Sequence, residues 1–251
     1  MILPAPAPVA KVHSDQRVDE REQLTNGGEI GPINGVSIPM DMITSLRGIL
    51  LDFDPKRIRH ERLSDAARQD PLVFFEEFVR PILARHPVYA GAEARASGLG
   101  VHGIIRFAKP IEFRNEGDRQ RWAGIVRVIQ RLVPTDPDCP GLTALTRPIG
   151  STNSKSGRTV TQISLGEPVS PEAILSLIER VRKEPFRTVA EILFGPGGQS
   201  PCPLCQRPDS RLGVQAQSGK CYGTCGNVRL GQLFDVFFPP RVTAGPASAP
   251  K

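Results

Sequence analysis

The chain is poor in aromatic residues: they make up 6% of it, with one tryptophan and two tyrosines in 251 residues. Its apolar share of 39% supports one sizeable core and a small module, with polar ends. No apolar run approaches the roughly 18 residues that a membrane helix needs, so no membrane association is expected. The start, Met1-Ile2-Leu3-Pro4-Ala5-Pro6-Ala7-Pro8, has no basic stretch leading into an apolar one. A signal peptide is therefore not expected, and the expected location is cytoplasmic. No Gly-x-Ser-x-Gly nucleophile elbow, Gly-x₄-Gly-Lys-Ser/Thr phosphate loop or internal repeat is present. Cysteine is scarce as well. Five are few for a disulfide scaffold, and four of them cluster at Cys202, Cys205, Cys221 and Cys225. In a cytoplasmic chain that pattern favours metal over disulfides.

What the chain does have is positive charge. The net charge is +6 and the isoelectric point about 9.3. A basic surface suits a polyanionic partner such as nucleic acid or nucleotide phosphates, and equally a chain from an arginine-rich proteome. Residues 1–35 read as a disordered tail, with an Ala/Pro repeat and a charged run but no apolar periodicity. Residues 36–194 read as a mixed α+β core, 195–239 as a cysteine module reached through Gly195-Pro196-Gly197-Gly198, and 240–251 as a second disordered tail. Within the core the pattern predicts a strand at Ile49–Phe53 and a stepped helix from His60 to Arg85, with Leu72 on its apolar face and a kink at Pro81. Two strands, Val88–Ala96 and Val101–Phe107, follow, joined by a turn at Ser97–Gly100. An amphipathic helix is predicted over Glu116–Leu132 and strands over Thr143–Ile149 and Arg158–Leu165. Helices are predicted to start at Ser170-Pro171 and at Thr188, and another over Leu230–Phe237.

Three segments carry chemistry. In Gly48-Ile49-Leu50-Leu51-Asp52-Phe53-Asp54-Pro55 an apolar strand ends in Asp52 and Asp54, which share one face because strand residues two apart do so. Side-by-side carboxylates repel unless a cation lies between them, and hard oxygen ligands suit Mg²⁺ or Mn²⁺. In Ser97-Gly98-Leu99-Gly100-Val101-His102 the glycines allow close backbone approach to a ligand, and His102 could aim an imidazole at phosphate oxygens. The third runs from Asp136-Pro137-Asp138 to Arg147-Pro148-Ile149-Gly150-Ser151-Thr152-Asn153-Ser154-Lys155. It offers a further carboxylate, an arginine for bidentate phosphate binding, a turn rich in amides and hydroxyls, and a lysine.

Asp-x-Asp, then Ser-Gly-x-Gly-x-His, then an Asp loop leading to Arg-x-x-Gly-Ser-x-Asn-x-Lys resembles the archaeo-eukaryotic primase superfamily, in particular primase-polymerases of plasmids, phages and other mobile elements. The resemblance covers roughly residues 45–165. It implies a catalytic core of mixed or antiparallel sheet flanked by helices and a DNA primase/polymerase activity: metal-dependent nucleotidyl transfer on single-stranded DNA. It places catalytic metal on Asp52, Asp54 and a third carboxylate, Asp136 by first choice and Asp138 as the alternative. It places incoming nucleoside triphosphate, ribo- or deoxyribo-, against Ser97, Gly98, Gly100, His102, Arg147, Asn153 and Lys155. Relatives often read Arg-x-Pro-Gly-Thr where this chain has Arg147-Pro148-Ile149-Gly150-Ser151, which can shift the turn carrying Asn153 and Lys155. With no helicase motif in the chain, an unwinding partner would be a separate protein. A non-catalytic, zinc-containing single-strand-binding replication protein on the same fold is the alternative, and a nuclease or ligase-associated module a third reading.

Cys202-Pro203-Leu204-Cys205 and Cys221-Tyr222-Gly223-Thr224-Cys225 are two close pairs separated by a hairpin-length insert, the pattern of a structural Cys₄ zinc site. Arg207, Arg211, Lys220 and Arg229 flank it, and Tyr222 could stack on a base, so the module reads either as a clip or as a nucleic-acid contact. Cys139 has no partner in the sequence.

Overall fold

The computed structural model describes residues 40–238, together with the backbone of residues 20–23 and 30–32. In chain order the strands and helices are β1 (Glu20–Gln23), β2 (Ile30–Pro32), β3 (Ser45–Phe53), α1 (Asp65–Gln69), α2 (Pro71–Phe74), α3 (Arg80–Leu83), α4 (Pro87–Ala90), β4 (Glu93–Ala96), β5 (Val101–Glu112), α5 (Glu116–Arg131), β6 (Leu145–Thr146), β7 (Thr161–Ser164), α6 (Pro171–Lys183), α7 (Pro185–Phe194), β8 (Leu212–Val214), β9 (Gly219–Cys221) and β10 (Gly226–Val228). The fold is α+β, with antiparallel sheets ordered β3-β5-β4-β7, β2-β1-β6 and β10-β9-β8. β1 and β2 fall inside the stretch expected to be a disordered tail, and β1 pairs with both β2 and β6. The rest of residues 1–35, and the tail expected at 240–251, lie outside the described residues.

The main sheet has two unlike faces, as period-2 alternation demands. Ile49, Leu51 and Phe53 of β3 and Ile105 of β5 point into the large core. Leu50, Asp52, His102 and Ile104 point the other way, where Leu50 and Ile104 form a small cluster with Cys139 and Ala144. α5 is capped by Asn115, whose side chain accepts from the Asp118 amide at 2.9 Å. It buries Trp122, Ile125, Val126 and Ile129 as the periodicity predicts. α6 begins at Pro171 behind its Ser170 cap, also as predicted, and ends at Lys183.

Several elements differ from the sequence expectation for local reasons. Val88–Ala96 splits, because Pro87 starts a one-turn helix, α4, with the His86 ring accepting from the Val88 amide at 3.3 Å. Only Glu93–Ala96 is strand. Pro185 likewise starts α7 three residues before Thr188, which is fully buried inside the helix. The 60–85 region breaks at Pro71, where Asp70 caps α2 through the Leu72 amide at 2.7 Å. A widened π-type turn at Phe75–Val79 precedes Pro81 and accommodates its missing amide proton. Leu72 is 51% exposed and is not part of the core. The strand expected over Thr143–Ile149 shrinks to Leu145–Thr146, and residues 230–233 form one 3₁₀ turn with further turns to Phe238 instead of a full helix.

The cysteine module shares the main core. Phe186 and Leu193 of α7 and Leu212, Val228 and Leu233 beyond it belong to one hydrophobic cluster with the sheet. The segment after β10 then returns to the turn that follows β3. The Arg59 amide donates to the Phe237 carbonyl at 2.7 Å, and the Arg62 guanidinium donates to the Val236 and Pro203 carbonyls, each at 3.1 Å. Phe237 stacks on Phe194 and meets Phe78 edge-on.

Candidate functional site

β3 is an edge strand, so its outer carbonyls need partners from outside the sheet. The Asp136 amide supplies one by donating to the Asp52 carbonyl at 2.7 Å. That bond joins the Asp loop to the strand end. It places Asp136 beside Asp52, with Asp54 two residues on. The side chain of Asp52 still reaches solvent, at 36% exposed. Burial first, then the charges of Asp136 and Asp54, push its carboxyl up to about 6, while Arg147 and Lys155 pull the other way without cancelling them. Three carboxylates and two cations from three separate chain segments therefore bear on one end of one strand.

The two candidates in the Asp loop are placed differently. Asp136 is mostly shielded, and its Oδ1 accepts from the Asp138 amide at 2.9 Å. Asp138 is 76% exposed and takes the Arg57 guanidinium at 2.9 Å. Arg57 reaches Asp136 as well, at 3.6 Å.

His102 is the direct cross-strand partner of Asp52 in the β3–β5 register. It is buried, with Nδ1 2.7 Å from the Thr146 hydroxyl and Nε2 3.9 Å from Asp52 Oδ1. Thr146 is wholly buried, so the ring is held by a fixed partner. Ser97 is also buried, with its amide donating to the Gly100 carbonyl across the β4–β5 turn at 3.0 Å. Gly98 sits at φ +140°, and a Cβ there would lie 2.5 Å from the Asn153 amide nitrogen. Gly100 lies against the end of β3, where a Cβ would lie 2.6 Å from the Phe53 carbonyl. These glycines thus bring the turn, β3 and the 153–158 loop into contact with one another. Asn153 is an organiser of that contact: its Nδ2 donates to the Ser97 carbonyl and its Oδ1 accepts from the Lys155 amide at 3.0 Å. The Lys155 side chain is exposed above it.

The four cysteines converge. Among the described residues they are the group of three or more His, Cys, Asp or Glu whose ligand atoms all lie within 4.8 Å of one another. The aspartates are not gathered that tightly. Cys205 and Cys221 sulfurs are 3.8 Å apart, and the Gly223 amide donates to Cys221 Sγ at 3.3 Å. Each pair is followed by a left-handed residue that turns the chain back, Gln206 at φ 54° and Gly226 at φ 66°. Hydrogen bonding, from the Ser210 side chain foremost, pulls the Cys205 thiol down to about 5. Burial and the neighbouring thiols push Cys225 up to about 12. Four soft ligands at this spacing are compatible with zinc, which would relieve the crowding of sulfurs by drawing all four to thiolate. Cys139 lies apart. Burial, then the Asp52 charge, hold it protonated up to about 12, and the Gln130 amide donates to it at 3.3 Å.

No protein-family model matches the chain, and no curated protein sequence matches it. Among solved structures it is similar to the AEP domain of the primase-polymerase of cyanophage S-2L, at 17% identity and a TM-score of 0.41, over 62% of this chain and 68% of that one. A likeness at that level carries no activity from one chain to the other.

Two residues of the site face escaped the sequence reading. Arg95 stands opposite His102 on the other side of β5, so Asp52, His102 and Arg95 form one row across three strands. It pairs with Glu93 and donates to the Arg147 carbonyl at 3.2 Å. Glu93, 3% exposed, also faces Arg106 at 3.5 Å. The available signal was Glu93-Ala94-Arg95, charge at alternate positions of a strand otherwise made of small residues. No helix among the described residues is long and apolar enough to cross a membrane.

Proposed function

We propose that the chain is a metal-dependent nucleotidyltransferase, a DNA primase/polymerase that makes or extends primers on single-stranded DNA in the replication of a mobile element. The observation that carries this reading is the meeting of Asp52, Asp54 and Asp136 at the end of β3, with His102 behind them and Arg147 and Lys155 near enough to bias Asp52. The Asp52 carboxyl is raised by burial first and by the charges of Asp136 and Asp54 second, and a divalent cation would offset both. These residues fit such an ion by donor type: Asp52, Asp54 and Asp136 would hold Mg²⁺ or Mn²⁺, with Asp138 committed to Arg57. When bound, such ions activate a 3′-hydroxyl and neutralise the triphosphate during in-line displacement. In this reading Thr146 donates to His102 Nδ1, which leaves Nε2–H as the donor to a phosphate oxygen. Arg147, steadied through its carbonyl by Arg95, and Lys155 hold further phosphate charge. Ser97, Gly98 and Gly100 shape the floor beneath the nucleotide, and Asn153 braces it. Zinc on the four cysteines is structural, since all four positions are filled by protein.

De novo synthesis or primer extension on single-stranded DNA with Mg²⁺ or Mn²⁺ tests the proposal. Activity should disappear in Asp52→Ala/Asp54→Ala, and full activity in that variant overturns the assignment. The looser spacing of the aspartates relative to the thiols favours one second reading, a single-strand-binding protein without transfer chemistry. Binding with no incorporation under either metal would establish it. Any helicase would be a separate partner.

A further inference from the structure

A cleft of about 970 Å³ opens beside the carboxylates, and no motif pointed to it. One wall is the turn after β3, with Lys56 and Arg57, and the last turns of α5, with Arg127 and Arg131. The other wall is the segment that follows the cysteine module, with Phe234 and Phe238. Asp136 belongs to the cleft as well as to the candidate site, so the two are continuous. The lining holds four basic side chains against two carboxylates, Asp136 and Asp235. Arg57 is engaged by Asp136 and Asp138, whereas Lys56, Arg127 and Arg131 have no carboxylate in ion-pairing range among the described residues. Arg131 alone would be an ordinary complement to a helix C-terminus. Arg127 is not explained that way: it lies a full turn before the helix end and is exposed, its side chain passing where a Cβ on Gly141 would stand. The two arginines sit four residues apart on one face of α5, about 6 Å along its axis. They can therefore meet successive charges of a polymer rather than one charge of a small anion. Cations of one sign in a concavity focus their field, and aromatic rings opposite them offer stacking surfaces to bases.

We infer that this cleft takes a single-stranded polynucleotide, with the backbone along Lys56, Arg127 and Arg131 and bases against Phe234 and Phe238, leading it toward Asp136. What the strand does at Asp136 rests on the proposed transfer reaction; the binding does not. The experiment is fluorescence anisotropy with labelled oligo(dT), titrated with salt in the absence of divalent ion and nucleotide, so that transfer plays no part in the readout. Arg127→Ala/Arg131→Ala should weaken binding at least tenfold. It should lower the slope of log affinity against log salt by roughly 1.4, two contacts at about 0.7 each. Arg47→Ala/Lys109→Ala removes two exposed cations toward the other end of β3 and β5 and should leave affinity nearly unchanged. Phe234→Leu keeps an apolar side chain against the core and should still lose several-fold in affinity. An unchanged slope in the α5 variant, an equal loss in the control pair, or a duplex that competes as well as the single strand overturns the inference. If the cleft variants behave as expected but no variant or wild-type protein incorporates nucleotide, the binding assignment stands and the transferase reading falls.

Discussion

Asp52→Asn should make the protein more stable while removing its function. The carboxyl is raised from 3.8 to about 6 by burial and by the neighbouring charges of Asp136 and Asp54. A raised carboxyl means that the folded state holds a proton more tightly than the unfolded chain does. The penalty for ionising it is therefore absent below about pH 4, grows between about 4 and 6, and is complete above that. At about 1.4 kcal/mol per pH unit the full penalty would be roughly 3 kcal/mol. With the side chain 36% exposed, solvent screening reduces it to about 1 kcal/mol. In a chain of this size that is about 2–4 °C in Tm. The assay is thermal unfolding of wild-type and Asp52→Asn protein at pH 4 and pH 8 without Mg²⁺ or Mn²⁺. Chelators are left out so that the proposed zinc on the cysteine cluster plays no part in the comparison. The variant should melt about 2–4 °C higher at pH 8 and no higher at pH 4. Adding Mn²⁺ at pH 8 should raise the wild type and not the variant. An Asn variant that is no more stable than wild type at pH 8 refutes the account of Asp52 as a carboxyl penalised by burial and by its acidic neighbours.

Glu93→Ala removes the carboxylate that pairs with buried Arg95 and reaches the partly exposed Arg106, and should cost about 3 kcal/mol; chemical denaturation measures it, and a loss under about 1 kcal/mol would show that the network is idle. Gly98→Ala strains a φ of +140° and drives a methyl into Asn153; a loss of at least about 1 kcal/mol is expected, with a raised KM for nucleotide because the 153–158 loop must shift. Elemental analysis should find one zinc per chain, and Cys221→Ser should lose it together with cooperative unfolding; a metal-free wild type that unfolds cooperatively contradicts the zinc assignment.

The candidate site was legible in sequence where periodicity or order carries the information. Strand alternation sets Asp52 on the face opposite Ile49, Leu51 and Phe53, which point into the large core. The two cysteine pairs announce their cluster by spacing alone. Less legible was whatever depends on a tertiary partner. Nothing local to Asp136 and Asp138 separates them; the edge position of β3 does, by recruiting the Asp136 amide. Asn153 looks like a ligand-binding residue in a polar loop until its two ends are seen bonded to Ser97 and Lys155. Prolines misled in a consistent way: Pro87 and Pro185 open helices, so Val88-Tyr89 reads as strand and Thr188 as a cap.

The return of residues 234–238 to the turn after β3 has a consequence for how the protein is made. The bonds from the Arg59 guanidinium to the Asp235 carbonyl and from the Arg62 guanidinium to the Val236 carbonyl span 176 and 174 residues. A ribosome therefore finishes β3, the glycine turn and the Asp loop long before it supplies the second wall of the cleft. Until then Phe78 and Phe194 lack the ring of Phe237 that covers them. A nascent or truncated chain ending near Gly195 would carry its carboxylates on an unfinished surface with exposed aromatic residues, prone to self-association. Cutting the chain at the glycine-rich joint would then yield neither an independent α+β core nor an independent cysteine module, but two fragments that each expose the surface the other covers.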